Sequence, residues 1–201
     1  MDFFDVYALI TLATFYTLLM SKSLLQHKRG NPVISLGKSK NGFAKYLELF
    51  FYLGLVFLTY LVIIGAYQMK FFGVLELFVL FNTLPTRILA FVLQNTAIVL
   101  FAFALASFKD AWRIGVDYHQ NQTLVTEGIF KYTRNPTYIA MNLLFISYFL
   151  LYANFFFLGS MLFIIFAFHH QIKKEEILLE NVFKDDYLLY KKHTPRYFFK
   201  K

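Results

Sequence analysis

Two short clusters in the chain combine side chains suited to a ligand that carries both signs of charge. The first is Arg134-Asn135-Pro136-Thr137-Tyr138, and the second is Glu175-Glu176. A guanidinium at Arg134 presents a planar fork of donors that matches a carboxylate or phosphate. Pro136 suits the first position of a helix. The opening turn of such a helix offers free N–H groups and the positive end of its dipole. Adjacent carboxylates at the border of an apolar segment are costly unless they meet something cationic or rich in donors. The Arg134 cluster closes residues 112–138, the longest run that is neither continuously apolar nor simply basic, which also holds the turn signal Glu127-Gly128 and the polar residues Lys131 and Tyr132. Chemistry is expected here, facing the second polar island at 173–180.

The rest of the chain must hold these clusters in a membrane. Of the 201 residues, 58% are hydrophobic and only 16% charged, against an apolar share of about 45–50% in soluble domains. One soluble core of this size cannot hide that surface, so the composition predicts an all-α polytopic membrane protein. The chain has no cysteine, which excludes disulfides, thiolate zinc sites and cysteine nucleophiles. A net charge of +8 would suggest nucleic acid in a soluble protein, but here the charges sit in the loops. The N-terminus, Met-Asp-Phe-Phe-Asp, has no basic flank and no small-residue cleavage site after it, so it reads as a span rather than a cleaved leader.

Hydropathy predicts spans at 3–20, 46–67 and 88–108, then a short helical hairpin of 139–152 and 155–168 broken at Ala153-Asn154. Each hairpin arm has about 21 Å of helix against a core of about 30 Å. Residues 71–81 form a shorter apolar run, read as interfacial, re-entrant or an extension of the second span. An amphipathic helix is expected over about 173–191. Gln94 and Asn95 lie inside the third span and should bond to a neighbouring helix. Eighteen of the twenty Lys and Arg fall in 22–45, 109–135 and 169–201, leaving Lys70 and Arg87 for the other side. This asymmetry predicts five spans, the N-terminus outside and both polar islands on the cytoplasmic face. The chain reads as a single membrane domain: 1–108 supply N-terminal spans, and 109–201 the ligand loop, the hairpin and the C-terminal helix.

A resemblance rests on Thr123-Leu124-Val125-Thr126-x-Gly128, then Arg134-x-Pro136-x-Tyr138, a short hairpin, Glu175-Glu176-x-x-Leu179-x-x-x-Phe183-x-x-x-Tyr187-x-x-Tyr190 and Pro195-Arg196. This combination resembles the isoprenylcysteine carboxyl methyltransferase and phospholipid methyltransferase superfamily, over about residues 90–197. The Trp112-Arg113-Ile114-Gly115 opening and Arg134-Asn135-Pro136 are similar to its small bacterial branch. The resemblance implies S-adenosylmethionine as cofactor and a lipophilic acceptor arriving from the membrane, with a bacterial inner membrane as the location. By position, it implies cofactor binding by Gly128, Tyr132, Arg134, Asn135, Pro136, Tyr138, Glu175 and Glu176, with Arg134 and Glu176 central to catalysis. The eukaryotic form carries His where this chain has Asn135, so Asn135 can hydrogen-bond a ligand but cannot act as a base.

Methyl transfer from a sulfonium needs alignment and a dry site more than acid–base chemistry. A carboxylate acceptor, as on a prenylated thiol compound, needs no base. A phospholipid amine must lose a proton, and Glu176 or Asp117 are then candidates. Simpler readings stand beside these. Arg134 and Lys131 could bind lipid phosphate, Glu180 could pair with Lys184 one turn on, and Tyr187 and Tyr190 could serve as packing aromatics. His169-His170 do not suit a metal, since neighbours on a helix point about 100° apart, and no metal or nucleic acid is expected. Rival functions are a sterol-reductase-like NADPH enzyme and a non-catalytic lipid-binding protein.

Overall fold

The computed structural model describes residues 1–30, 42–69, 78–108 and 124–198, with backbone alone for 42–52. The described chain forms five α-helices and one 3₁₀ turn: α1 (Phe3–Lys28), α2 (Gly42–Ala66), α3 (Leu84–Ser107), the 3₁₀ turn (Gly128–Lys131), α4 (Pro136–Tyr152) and α5 (Phe155–His193). Three of them, α1, α3 and α5, are long and apolar enough to cross a membrane, while Leu53–Ala66 and α4 are shorter apolar helices. No strand forms among the described residues; Val79 and Asn154 make an isolated bridge.

Local signals set the helix ends. Asp2 caps α1, accepting from the N–H groups of Phe4 and Asp5, and Asp5 reaches back to the Asp2 N–H. That capping box satisfies donors the first turn would otherwise leave open. α1 outruns its apolar stretch, because residues 21–28 contain no breaker before Gly30, whose φ is 76°. Asn154 caps α5 by accepting from Phe156 and Phe157 N–H, so the Ala153-Asn154 break is a tight hairpin as expected.

The core is built on α3 and α4, the most extensively packed pair. Ala90, Ala97 and Ala104, seven apart on α3, are each buried to 2% exposure or less. Small side chains at that spacing let helices approach closely in lipid. The Tyr152 ring lies on Gly65, where a Cβ would come within 2.9 Å of the ring. Gln94 is buried against Thr11 (3.4 Å), and the Tyr7 hydroxyl donates to Asn95 Oδ1 at 2.6 Å. Both polar residues of the third span therefore bond to α1, as their apolar surroundings demand.

Two expectations change. The second hairpin arm does not stop near 168, and no separate amphipathic helix begins at 173: α5 runs from Phe155 without a break to Lys184, which leaves helical geometry at φ 48°, ψ −119°. There the chain turns back along α5. Lys191 Nζ reaches Glu180 Oε2 at 2.9 Å, although eleven residues of straight helix would separate them by about 16 Å. Glu180 thus pairs with Lys191 rather than Lys184, because Lys184 is itself the bend. Of the 71–81 run only 78–81 is described, and there Leu80 N–H donates to Ala153 O at 2.6 Å, closing the segment over the hairpin turn. The rest of that run, 71–77, expected to be interfacial, re-entrant or an extension of the second span, lies outside the described residues.

Candidate functional site

α3 ends where α4 begins, and this junction carries the first polar island. Gly128, at φ 62°, opens the 3₁₀ turn against Ser107, whose Oγ accepts from Ile129 N–H at 3.3 Å. Phe130 stacks edge-on against Phe108. Pro136 then starts α4, fully buried, in the N1 position its fixed φ favours.

The bend at Lys184 brings residues 187–197 over this junction. We call this segment the strap. Tyr190 Oη donates to Phe130 O (2.8 Å), Arg134 N–H to Pro195 O (3.0 Å), and Thr133 Oγ1 and Asn135 Nδ2 both donate to Arg196 O, at 3.0 and 3.1 Å. His169 Nδ1 and Tyr197 Oη are 2.8 Å apart, which fixes the strap's far end to α5.

At the centre, Glu176 meets two guanidinium groups. Arg134 donates to Glu176 Oε1 through Nε (3.2 Å) and Nη2 (2.7 Å); Arg196 donates to Oε1 through Nε (3.1 Å) and to Oε2 through Nη2 (2.6 Å). Arg134 Nη1 also donates to the carbonyls of Lys191 (3.1 Å) and Thr194 (2.6 Å). Both Arg134 and Glu176 side chains are under 10% exposed, whereas Arg196 is 33% exposed. Burial alone would raise the Glu176 pKa, but the hydrogen bonds and charges of Arg196 and Arg134 outweigh it and hold the carboxyl below its usual range. Glu175 points elsewhere. It accepts from Tyr138 Oη at 2.5 Å and Gln171 Nε2 at 3.2 Å, both on Oε1. It sits two turns past the apolar part of α5, residues 155–168. Burial raises its pKa, and the two hydrogen bonds only partly offset that.

The structure therefore brings Arg134, Asn135, Pro136, Tyr138, Glu175 and Glu176 together with the strap. Gly128 supports them from the α3 side. Tyr132 stands apart, 65% exposed. Trp112 and Asp117 lie outside the described residues. Thr133, fully buried, and Gln171 carry bonds that their sequence positions did not signal. Arg196 had a signal, the Pro195-Arg196 pair, but its partner could not be known without the bend.

Spare bonding capacity at this end is specific. Among the described residues, Arg134 has at most one of its five N–H donors left, and Arg196 has three. Glu175 keeps Oε2. The hydroxyls of Tyr187 and Thr137 are buried without a partner among the described residues, as is Asn142 Oδ1 one turn beyond Tyr138. These groups complement a zwitterion that also carries hydroxyls. Among the described residues no cluster of three or more His, Cys, Asp or Glu stands at metal-binding distance.

These features define a helical membrane protein with a charged, strapped site at one end of its bundle. A family model described as phospholipid methyltransferase matches residues 85–186, just over half the chain and nearly all of α3 through the bend of α5. The chain belongs to the phospholipid methyltransferase family. A comparison with curated proteins finds no match.

Proposed function

We propose that the chain binds S-adenosylmethionine at the strapped site and methylates the amine of a lipid headgroup at the cytoplasmic face of a bacterial inner membrane. The observation that carries this reading is the Arg134–Glu176–Arg196 cluster, which locks the strap over the α4 N-terminus in a chain of this family. Bound there, S-adenosylmethionine supplies a methyl group already activated on sulfonium. The open donors of Arg196, beside the remaining Arg134 donor, suit its carboxylate, and Glu175 Oε2 suits its ammonium or ribose hydroxyls. Tyr187 and Thr137 add hydroxyl partners. Asn135 holds Arg196 in place through its carbonyl. Glu176 positions both arginines rather than contacting the acceptor, because both its oxygens are already engaged.

An amine acceptor must give up a proton before or as it attacks. Glu176 is held ionised and low by two guanidinium groups, so it is a weak base. Glu175, whose pKa is raised, is the better base. A group with a raised pKa is protonated up to a higher pH, so activity on an amine should climb with pH through a limb above the ordinary carboxylate range of about 4.3. Tyr138→Phe removes a bond that favours the ionised form, so that limb should move to higher pH. The check is a pH profile of kcat/KM for both proteins. A carboxylate acceptor, which needs no base, would show no such limb and no shift.

The primary test is calorimetric binding of S-adenosylmethionine in detergent, together with transfer of labelled methyl to phosphatidylethanolamine and to an isoprenylcysteine analogue. Binding in the micromolar range that Arg196→Ala weakens about tenfold or more is expected, since this change removes the open donors. Absence of binding by folded protein would sink the reading, and NADPH would then be the ligand to examine.

A further inference from the structure

At the end of the bundle away from Arg134 and Glu176 lies a polar cavity of about 450 Å³. It is lined by Asp2 and Asp5 from the start of α1, Arg87 from the first turn of α3, and Tyr152 from the end of α4, with Gly65 at its wall. Arg87 Nη2 forms a close ion pair with Asp2 Oδ2 and stands 4.0 Å from Asp5 Oδ1. Its guanidinium also lies over the Phe4 ring, 4.7 Å from the centroid. Two atoms facing this cluster are unmatched. The Tyr152 hydroxyl, on a residue 8% exposed, and Arg87 Nε are both buried with no hydrogen-bond partner among the described residues.

Such groups rarely go unpaired in a folded interior. Both can donate, so what they await is an acceptor oxygen. The charge of the described lining points the other way: among the described residues two carboxylates face one guanidinium, which favours a cation. An occupant must therefore carry an acceptor-rich group and a cation a few ångströms apart. The site's position narrows this further. All four side chains stand at helix ends, and the ends of spanning helices meet the headgroup layer. Phe3 and Leu84, in the same first turns, are each more than 60% exposed and offer apolar surface to a lipid's chains.

We propose that this cavity holds the headgroup of an aminophospholipid, its phosphate against Arg87 Nε and Tyr152 Oη and its ammonium against Asp5. The site is separate from the methyltransferase reading and stands or falls without it. It is a lipid seat at the other end of the bundle, where no transfer chemistry is placed.

The full chain in detergent, titrated by native mass spectrometry with phosphatidylethanolamine, phosphatidylglycerol of the same acyl chains, and soluble phosphoethanolamine, tests it. The wild type should prefer phosphatidylethanolamine over phosphatidylglycerol. Tyr152→Phe keeps the ring over Gly65 and removes only the hydroxyl; its affinity for phosphatidylethanolamine should fall about tenfold. Asp5→Asn retains an acceptor for the Asp2 N–H but loses the charge, and the preference between the two lipids should vanish. Tyr138→Phe, at the strapped site, reports any acceptor lipid held there, so a loss in Tyr152→Phe that Tyr138→Phe does not share belongs to this cavity. A melt of each variant shows that it is folded. Lipid binding unaltered in Tyr152→Phe would mean the cavity holds water only and would overturn the proposal. So would a loss seen only in Tyr138→Phe, which would place the lipid at the other end. Equal affinity for soluble phosphoethanolamine would overturn the assignment to a lipid.

Discussion

Glu176→Ala should cost the protein about 3–5 kcal/mol, the usual result of breaking a buried ion pair from one side. The reason is what remains. Arg134, with its side chain 8% exposed, would keep two carbonyl partners from the strap but lose the Glu176 carboxylate. Water cannot easily replace it there. Arg196→Ala should cost less, because Arg196 is one-third exposed and Glu176 would still hold Arg134. Glu176→Gln keeps the shape, but turns an amide N–H toward one of the guanidinium groups, so it should fall between the two. Thermal unfolding in detergent ranks the three. The same residue gives a pH dependence. Its folded pKa is lowered, so its contribution to strap docking is complete above the ordinary carboxylate pKa of about 4.3 and is lost as pH falls through the lower folded value. Proteolysis of the strap should therefore accelerate only in that acid range. In Glu176→Gln, which has no group to titrate, this acid step should be missing. A Glu176→Ala protein that melts with the wild type would show that the cluster does not hold the strap.

The two polar islands were legible in the sequence because both break long apolar runs, and a membrane makes such breaks conspicuous. Helix order followed from the same contrast. So did the shared end of the islands, since charge asymmetry orders the loops. What the sequence could not show was the bend. Nothing marks Lys184 as a residue with positive φ; glycine or asparagine would be the usual sign. Without the bend, a helix ending near 191 points away from Arg134. Glu180 then pairs with the nearest lysine, and Arg196 has no address. The bend reverses each of these, and turns a proposed pair of ligand-binding charges, Arg134 and Glu176, into a triad that is largely satisfied within the protein. Periodicity also split α5 at the point where its surroundings change from apolar to polar, although the helix itself has no reason to stop there.

The site's other support is steric. Gly128→Ala should displace the loop that carries Phe130 through Asn135 and weaken S-adenosylmethionine binding more than tenfold, at a stability cost of roughly 2–4 kcal/mol. Two effects combine. At φ 62° a side chain is strained whatever the space around it. In addition, a Cβ there would overlap Ser107 Oγ, the atom that accepts from Ile129 N–H. The loop must then lift from α3. Phe130 leaves Phe108, and its carbonyl leaves Tyr190, so the strap loosens as well. The two effects separate in a double-mutant cycle. Ser107→Ala removes the overlapping oxygen and leaves the Ser107 Cβ at 3.1 Å, a contact that a shift of a few tenths of an ångström relieves. Ser107→Ala/Gly128→Ala should therefore recover part of the stability and binding lost in Gly128→Ala, and the remainder measures the backbone strain. Full additivity of the two changes would mean that Gly128 does not face Ser107. Since α3 carries Ser107 and α4 begins just beyond the loop, that result would also remove the junction on which the strapped site is built.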